Sequence, residues 1–161
     1  MARLVIVHHS PTPATRQLTE AVVDGATDDV IEGVAVSVVP ALEATLDDVR
    51  DADGFLIGTS ANFGYMSGAV KHFFDSFFLD LGGALAGDGS AGDTSDGRRP
   101  YGLWVHGRYD TTGAVRSVQS IVGALPWTQS APVLEVMGDV TGADLEAARD
   151  LGGTLAALLM A

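Results

Sequence analysis

The sequence predicts an α/β fold in which a parallel sheet of five strands lies between two layers of helices. Short apolar runs alternate with helical patterns along all 161 residues, and this alternation is the signature of βαβ units. Apolar residues make up 47% of the chain, the usual share for a globular protein. We therefore expect residues 1–161 to form one three-layer, doubly wound domain.

Five short apolar runs predict the strands, at residues 4–7, 34–39, 55–57, 103–105 and 133–136. The first, third and fourth runs contain no charged or hydroxyl side chain, whereas the second carries Ser37 and the fifth carries Glu135. Uninterrupted apolar runs suit the centre of a parallel sheet, and polar residues suit its edges. The spatial order 2-1-3-4-5 is therefore predicted, with a ligand crevice outside the carboxyl ends of strands 1 and 3.

Apolar residues at helical spacing predict a helix after each strand. Thr45 with Asp48, and Thr141 with Asp144, have the spacing of capping pairs at the starts of the second and fifth helices. The apolar stripes are Leu18, Ala21, Val22 and Ala26; Leu42, Leu46 and Val49; Val70, Phe73, Phe74, Phe77, Phe78 and Leu81; Val115, Val118, Val122 and Leu125; and Leu145, Ala148, Leu155 and Leu159.

Residues 82–100 differ in composition from the rest of the chain, because Gly, Asp and Ser dominate them. They predict a flexible polar loop inserted before the fourth strand. Residues 87–92 match the GxGxxG pattern. They follow no strand and open no helix, so the match is interpreted as chance.

Charge and cysteine content exclude several functional classes. The net charge of −12 disfavours nucleic acid and anionic membranes as partners. The chain has no cysteine, which excludes thiol catalysis and Cys-based metal sites. No metal site is predicted, because the neighbouring His8 and His9 would point to opposite faces of a strand. No signal peptide or membrane-spanning run is recognised, so a cytoplasmic protein is expected.

The loop after the first strand carries three hydroxyl groups at the start of a helix. Side-chain hydroxyls, backbone amides and the positive end of a helix dipole together suit a phosphate group. The same residues also suit helix capping, with Pro13 at the first helical position. Both interpretations stay open. The candidate ligand residues are Ser10, Thr12, Ala14 and Thr15.

Two further loops follow the third and fourth strands at the same edge. In the first, glycines allow close approach of a flat ligand to the backbone; its candidates are Ser60, Ala61, Asn62, Phe63, Gly64, Tyr65 and Met66. In the second, Tyr109 would stack on an aromatic ring. His106 would hydrogen-bond to that ring or supply a proton, or it is a satisfied histidine at a strand end. The candidates of this loop are His106, Gly107 and Tyr109.

The segment ADGFLIGTSANFGYMSGAVKHFFDSF, residues 52–77, resembles flavodoxin-like NAD(P)H-dependent FMN reductases and WrbA-type quinone reductases. The resemblance extends more weakly over nearly the whole chain. It implies non-covalent FMN, with the phosphate held by the first loop and the isoalloxazine by the other two. The sequence departs from the family pattern at Pro13, where glycine is usual, and at the bulky Arg108 and Tyr109. Proline lacks the N–H that would point at phosphate.

The function implied by the resemblance is an FMN-dependent oxidoreductase. It would take hydride from NAD(P)H and pass electrons to a quinone, a flavin or a similar small-molecule acceptor, with His106 as the candidate catalytic residue. The family usually completes its pocket by oligomerising, which implies a homodimer or homotetramer. Two alternatives stay open: a flavodoxin-type electron carrier that is not an enzyme, and a flavin-free binding domain that retains the fold.

Overall fold

The computed structural model describes residues 1–84, 86–88 and 98–160, and these form a seven-stranded sheet with helices on both faces. The strands are β1 (Ala2–His8), β2 (Val34–Pro40), β3 (Gly54–Asn62), β4 (Tyr65–Met66), β5 (Arg99–Gly107), β6 (Trp127–Gln129) and β7 (Leu134–Met137). The helices are α1 (Pro13–Ala26), α2 (Leu46–Arg50), α3 (Gly68–Phe77), α4 (Thr112–Val122) and α5 (Gly142–Ala157).

The predicted strand order is confirmed. The sheet runs β2-β1-β3-β5, and β6 and β7 lie along the outer side of β5. Every pair in this series is parallel. The strands that carry Ser37 and Glu135 lie at the two edges, as their polar residues predict.

Alternating residues of the central strands build two separate cores. On one face, Leu4, Ile6 and Trp104 pack against α1 and α5. On the other, Val5, Val7 and neighbouring residues pack against α3 and α4. The first face requires close helix packing, since a Cβ atom at Gly152 would overlap the carbonyl oxygen of Val22.

Capping residues fix where the helices begin. Thr45 with Asp48, and Thr141 with Asp144, form the two predicted capping boxes. Ser67 caps α3 by accepting a hydrogen bond from the Val70 amide at 3.2 Å. These caps set the first residue of each of the three helices.

Several predicted boundaries are wrong. The predicted fifth strand corresponds to β7, but an additional strand that was not predicted, β6, also pairs with β5. Pro132 lies between β6 and β7, and proline cannot donate to a strand ladder. The third helix ends at Phe77, before the predicted Phe78 and Leu81, and the left-handed Gly82, with a φ of 87°, follows this segment. The second helix begins at Leu46, which leaves Leu42 exposed.

Part of the predicted flexible loop, residues 85 and 89–97, lies outside the described residues. On the described side of that gap, the Ala84 amide donates to the Ala124 carbonyl at 3.1 Å. β5 begins at Arg99, before the predicted end of the loop. Among the described residues, no helix is long and apolar enough to cross a membrane.

Candidate functional site

Three loops meet at the carboxyl edge of the sheet. The parallel register places His8 of β1 beside Gly58 of β3, and Ser60 of β3 beside His106 of β5. The segments that leave these three strands are therefore neighbours, as their sequence positions predict. This edge lies at the switch point of the strand order, where ligands bind in doubly wound folds.

The loop after β3 is a tight hairpin that the sequence analysis did not predict. β4 pairs antiparallel with the end of β3, with Asn62 opposite Tyr65. The two residues between them have positive φ angles, 51° at Phe63 and 76° at Gly64. Positive φ at both central residues is the geometry of a type I′ turn. Gly64 adopts it without strain, but Phe63 does not.

Contacts with α4 and β3 hold the hairpin in place. A Cβ atom at Gly113 of α4 would overlap the carbonyl oxygen of Gly64, so only glycine allows this approach. The Ser67 amide donates to Thr59 Oγ1 at 3.0 Å. Met66 is buried, and its amide donates to Ser117 Oγ at 3.4 Å. The hairpin is therefore anchored on both sides of its tip.

Phe63 gains no packing in return for its strained backbone, since 98% of its side chain is exposed. Tyr109, after β5, is 75% exposed. Other large apolar residues are exposed in or near the segments at this edge, and with these two they form a set that we call the edge cluster: Leu42, Phe63, Tyr65, Tyr109 and Met137. Exposed apolar groups concentrated at one edge indicate a binding surface.

The loop after β1 is a helix cap in this structure. Thr12 Oγ1 accepts from the Thr15 amide at 3.2 Å, and Thr15 Oγ1 accepts from the Thr12 amide at 3.0 Å. Pro13 occupies the first helical position. Ser10 Oγ lies 2.7 Å from Thr19 Oγ1 and 2.8 Å from His8 Nδ1. Every hydroxyl assigned to phosphate binding therefore already has a protein partner.

Two neighbouring histidines lie at the end of β1 in different environments: His8 ends the strand and His9 follows it. Burial lowers the pKa of His8, and the neighbouring His9 lowers it further. His8 is therefore held towards its neutral form. The Nδ1 atom of His9 is buried and has no hydrogen-bond partner among the described residues. A buried polar atom without a partner, close to the three loops, is a candidate contact for a ligand.

His106 lies at the end of β5 and is buried. Its Nε2 atom is 2.7 Å from the Gly138 carbonyl oxygen and donates to it. This contact is that of a satisfied strand-end histidine, and the proton-supplying role of His106 stays a prediction. The next loop is polar: Arg108 pairs with Asp139 at 3.1 Å, and the hydrogen bond from the Thr112 amide lowers the pKa of Asp110.

Comparisons with known proteins agree with this architecture. A flavodoxin from the domain Archaea superposes with a TM-score of 0.78 at 18% identity, covering 98% of each chain. A WrbA-like flavodoxin from Agrobacterium tumefaciens gives a TM-score of 0.72 at 18% identity, covering 99% of this chain and 98% of the other. The chain has the flavodoxin-like fold.

One curated relative is similar in sequence over part of this flavodoxin-like chain. It is a flavodoxin from Aquifex aeolicus (strain VF5), 33% identical over 97 residues, or 60% of this chain. The chain spans about half of that relative, 51% of its length. No family model matches the chain.

The predicted site residues divide into two groups in the flavodoxin-like fold. Asn62, Phe63, Tyr65 and Tyr109 are exposed at the carboxyl edge, whereas Met66, Ser60 and His106 are buried. The predicted set does not include Leu42, Met137 or His9, which the structure brings to the same edge. His9 directly follows β1, Leu42 lies two residues after β2, and Met137 ends β7. Their positions at the ends of predicted strands were the signal that could have identified them.

The edge therefore fits one end of a flavin better than the other. Exposed aromatic side chains and the unpartnered His9 Nδ1 suit a flat ring with polar substituents. The phosphate end has a poor match, because the capping box uses the hydroxyls and two amides of the first helical turn. A cavity of about 540 Å³ lies between the end of α1, residues 28–31 and α5, and its lining residues come from these segments and not from the three loops.

Replacing Phe63 with asparagine is expected to stabilise the protein. Asparagine tolerates the left-handed conformation far better than phenylalanine, and the exposed ring contributes no packing. The free energy of unfolding in urea should therefore rise by about 1 kcal/mol. Tyr65→Asn is the matched control, because Tyr65 is also exposed but has an ordinary strand backbone. A loss of stability in Phe63→Asn, or an equal gain in both variants, would contradict the strain assigned to Phe63.

Proposed function

We propose that this protein binds a flavin, FMN or its dephosphorylated form, at the carboxyl edge and works as an electron carrier of the flavodoxin type. The observation that carries the proposal is the Phe63–Gly64 turn. It holds an aromatic side chain 98% exposed in a strained conformation at the switch point of the sheet. Strained backbone that presents a side chain to solvent is characteristic of ligand-binding positions.

Different residues of the edge would contact different parts of the flavin ring. Phe63 and Tyr109 offer aromatic faces for stacking on the ring. The amides of Phe63 and Gly64, at the two central positions of the turn, offer hydrogen bonds to its polar rim, and His9 Nδ1 offers one more. The bound flavin would supply the electron-transfer chemistry, and the protein would orient it and exclude water from one side.

Charge and similarity support a carrier over an enzyme. The net charge of −12 favours docking onto a basic redox partner, because complementary charge accelerates encounter. The relative at 33% identity is named a flavodoxin, as is the structure with a TM-score of 0.78. A ligand held among exposed side chains of the edge cluster would also lie close to the surface that a partner protein can reach.

Flavin titration tests the proposal. Purified protein freed of flavin should quench the fluorescence of added FMN or riboflavin saturably, with a Kd on the order of micromolar. Phe63→Asn should weaken binding about three- to tenfold, the worth of one aromatic contact. It should do so while remaining folded.

Leu79→Asn is the matched control for this titration. Leu79 is an exposed apolar residue that follows α3 and lies outside the edge cluster, so its replacement should leave the Kd unchanged. If neither flavin binds up to about 1 mM, the flavin-binding proposal is wrong, and the flavin-free alternative takes its place.

A second candidate is the NAD(P)H-dependent reductase. The resemblance of residues 52–77 and the WrbA-like structure favour it. Its acceptor would be a small molecule such as a quinone, and its pocket would be completed in a homodimer or homotetramer. His106 would then relay a proton, which requires it to release the Gly138 carbonyl, now 2.7 Å away.

Steady-state turnover separates the two candidates. The flavin-loaded protein, mixed with NADH or NADPH and a quinone, should oxidise the nucleotide at a rate near background if it is a carrier. Turnover on the order of 1 s⁻¹ or faster, within the usual range for enzymes, would replace the carrier with the reductase. Free FMN at the same concentration provides the background rate.

A further inference from the structure

We infer that the site recognises the ring end of the flavin and gains little from the phosphate, so that riboflavin and FMN bind with similar affinity. The inference rests on the proposed flavin-binding function and names its ligand class more closely. It follows from the start of α1, where a phosphate would have to be held. Three features of that segment argue against a phosphate site: its amides, its hydroxyls and its charge.

Few backbone amides at the start of α1 are free to bind a phosphate. A helix N-terminus binds phosphate through backbone N–H groups that have no other partner. Pro11 and Pro13 have no N–H at all. The amides of Thr12 and Thr15 donate to each other's side chains at 3.0 and 3.2 Å. In the first turn of α1, residues 12–15 of the described chain, only the Ala14 amide is left outside the capping box.

The hydroxyls are engaged as well. Thr12 Oγ1 and Thr15 Oγ1 lie 2.9 Å apart, and Thr15 is buried. Ser10 Oγ lies between Thr19 Oγ1 and His8 Nδ1, at 2.7 and 2.8 Å. Thr15 Oγ1 donates to the Thr12 carbonyl oxygen at 3.0 Å, so a phosphate could receive this proton only if that bond broke. The exchange of one hydrogen bond for another yields little net affinity.

The charges near the start of α1 do not make up for the missing hydrogen-bond donors. The cation nearest in sequence is Arg16, whose side chain is exposed and lies 3.4 Å from the Pro11 carbonyl oxygen. An exposed ion pair contributes little in water. A phosphate monoester carries a charge of about −1.5 to −2 at neutral pH, and it would approach a chain with a net charge of −12. The long-range field therefore opposes the phosphate.

Parallel titrations of the flavin-free protein with riboflavin and FMN test the inference. At an ionic strength of about 0.15 M, where charges are screened beyond ~8 Å, the two Kd values should agree within about threefold. FMN binding more than about tenfold tighter than riboflavin, the worth of one charge-assisted hydrogen bond, would overturn the inference and leave flavin binding intact. If neither ligand binds, both proposals fail together.

A proline substitution tests the assigned cause. Pro13→Ala restores one N–H at the first position of α1 while keeping a residue that favours helix. It should tighten FMN binding about tenfold and leave riboflavin binding unchanged. Pro132→Ala, at an exposed proline between β6 and β7, should change neither Kd. Equal shifts for both ligands in Pro13→Ala, or no shift for either, would contradict the role assigned to Pro13.

Discussion

The close contact between Gly64 and Gly113 is the constraint on which the candidate site depends. Because a Cβ atom at Gly113 would overlap the Gly64 carbonyl oxygen, the hairpin tip can lie directly on the start of α4. This contact fixes the left-handed turn and leaves the Phe63 side chain directed into solvent. An aromatic group is thereby presented at a defined place, and little rearrangement would be needed to bind a flat ligand.

The hairpin and the start of α1, which lie at the same edge, differ in how far their own contacts satisfy them. At the hairpin, strain and exposure are tolerated, which is costly unless a ligand covers the ring. At the start of α1, Thr12 and Thr15 satisfy each other, and Pro13 begins the helix with its φ already fixed. The hairpin therefore leaves an aromatic side chain uncovered, whereas the polar groups at the start of α1 have partners within the protein. The ring-centred recognition proposed for the flavin follows from this difference.

Much of the fold could be predicted because its signals are local and periodic. Apolar runs with polar residues only in the outer strands indicated the order, and the spacing of Thr45 with Asp48 indicated a cap. The hairpin could not be predicted in this way, because Phe63–Gly64 lacks the Asn-Gly signal of a type I′ turn. The additional strand β6 was not predicted either, since a strand of three residues leaves almost no pattern.

The meeting of the three loops could be predicted from the sequence, whereas the roles of their residues could not. The loops that follow the parallel strands β1, β3 and β5 must lie at the same edge of the sheet, so their meeting follows from topology alone. Whether Thr12 and Thr15 bind phosphate or cap a helix does not follow, because both uses need the same residues at the same spacing. Whether His106 can contact a ligand depends on its hydrogen bond to the Gly138 carbonyl, and Gly138 is distant in sequence.

Amide hydrogen exchange with and without riboflavin tests the location of the site most directly. If the flavin ring binds at the hairpin, peptides covering residues 60–66 and 107–111 should exchange more slowly in the complex, while α1 and α5 remain unchanged. Binding that slows exchange only around Gly25, Arg149 and Ala157, which line the cavity between α1 and α5, would contradict the account.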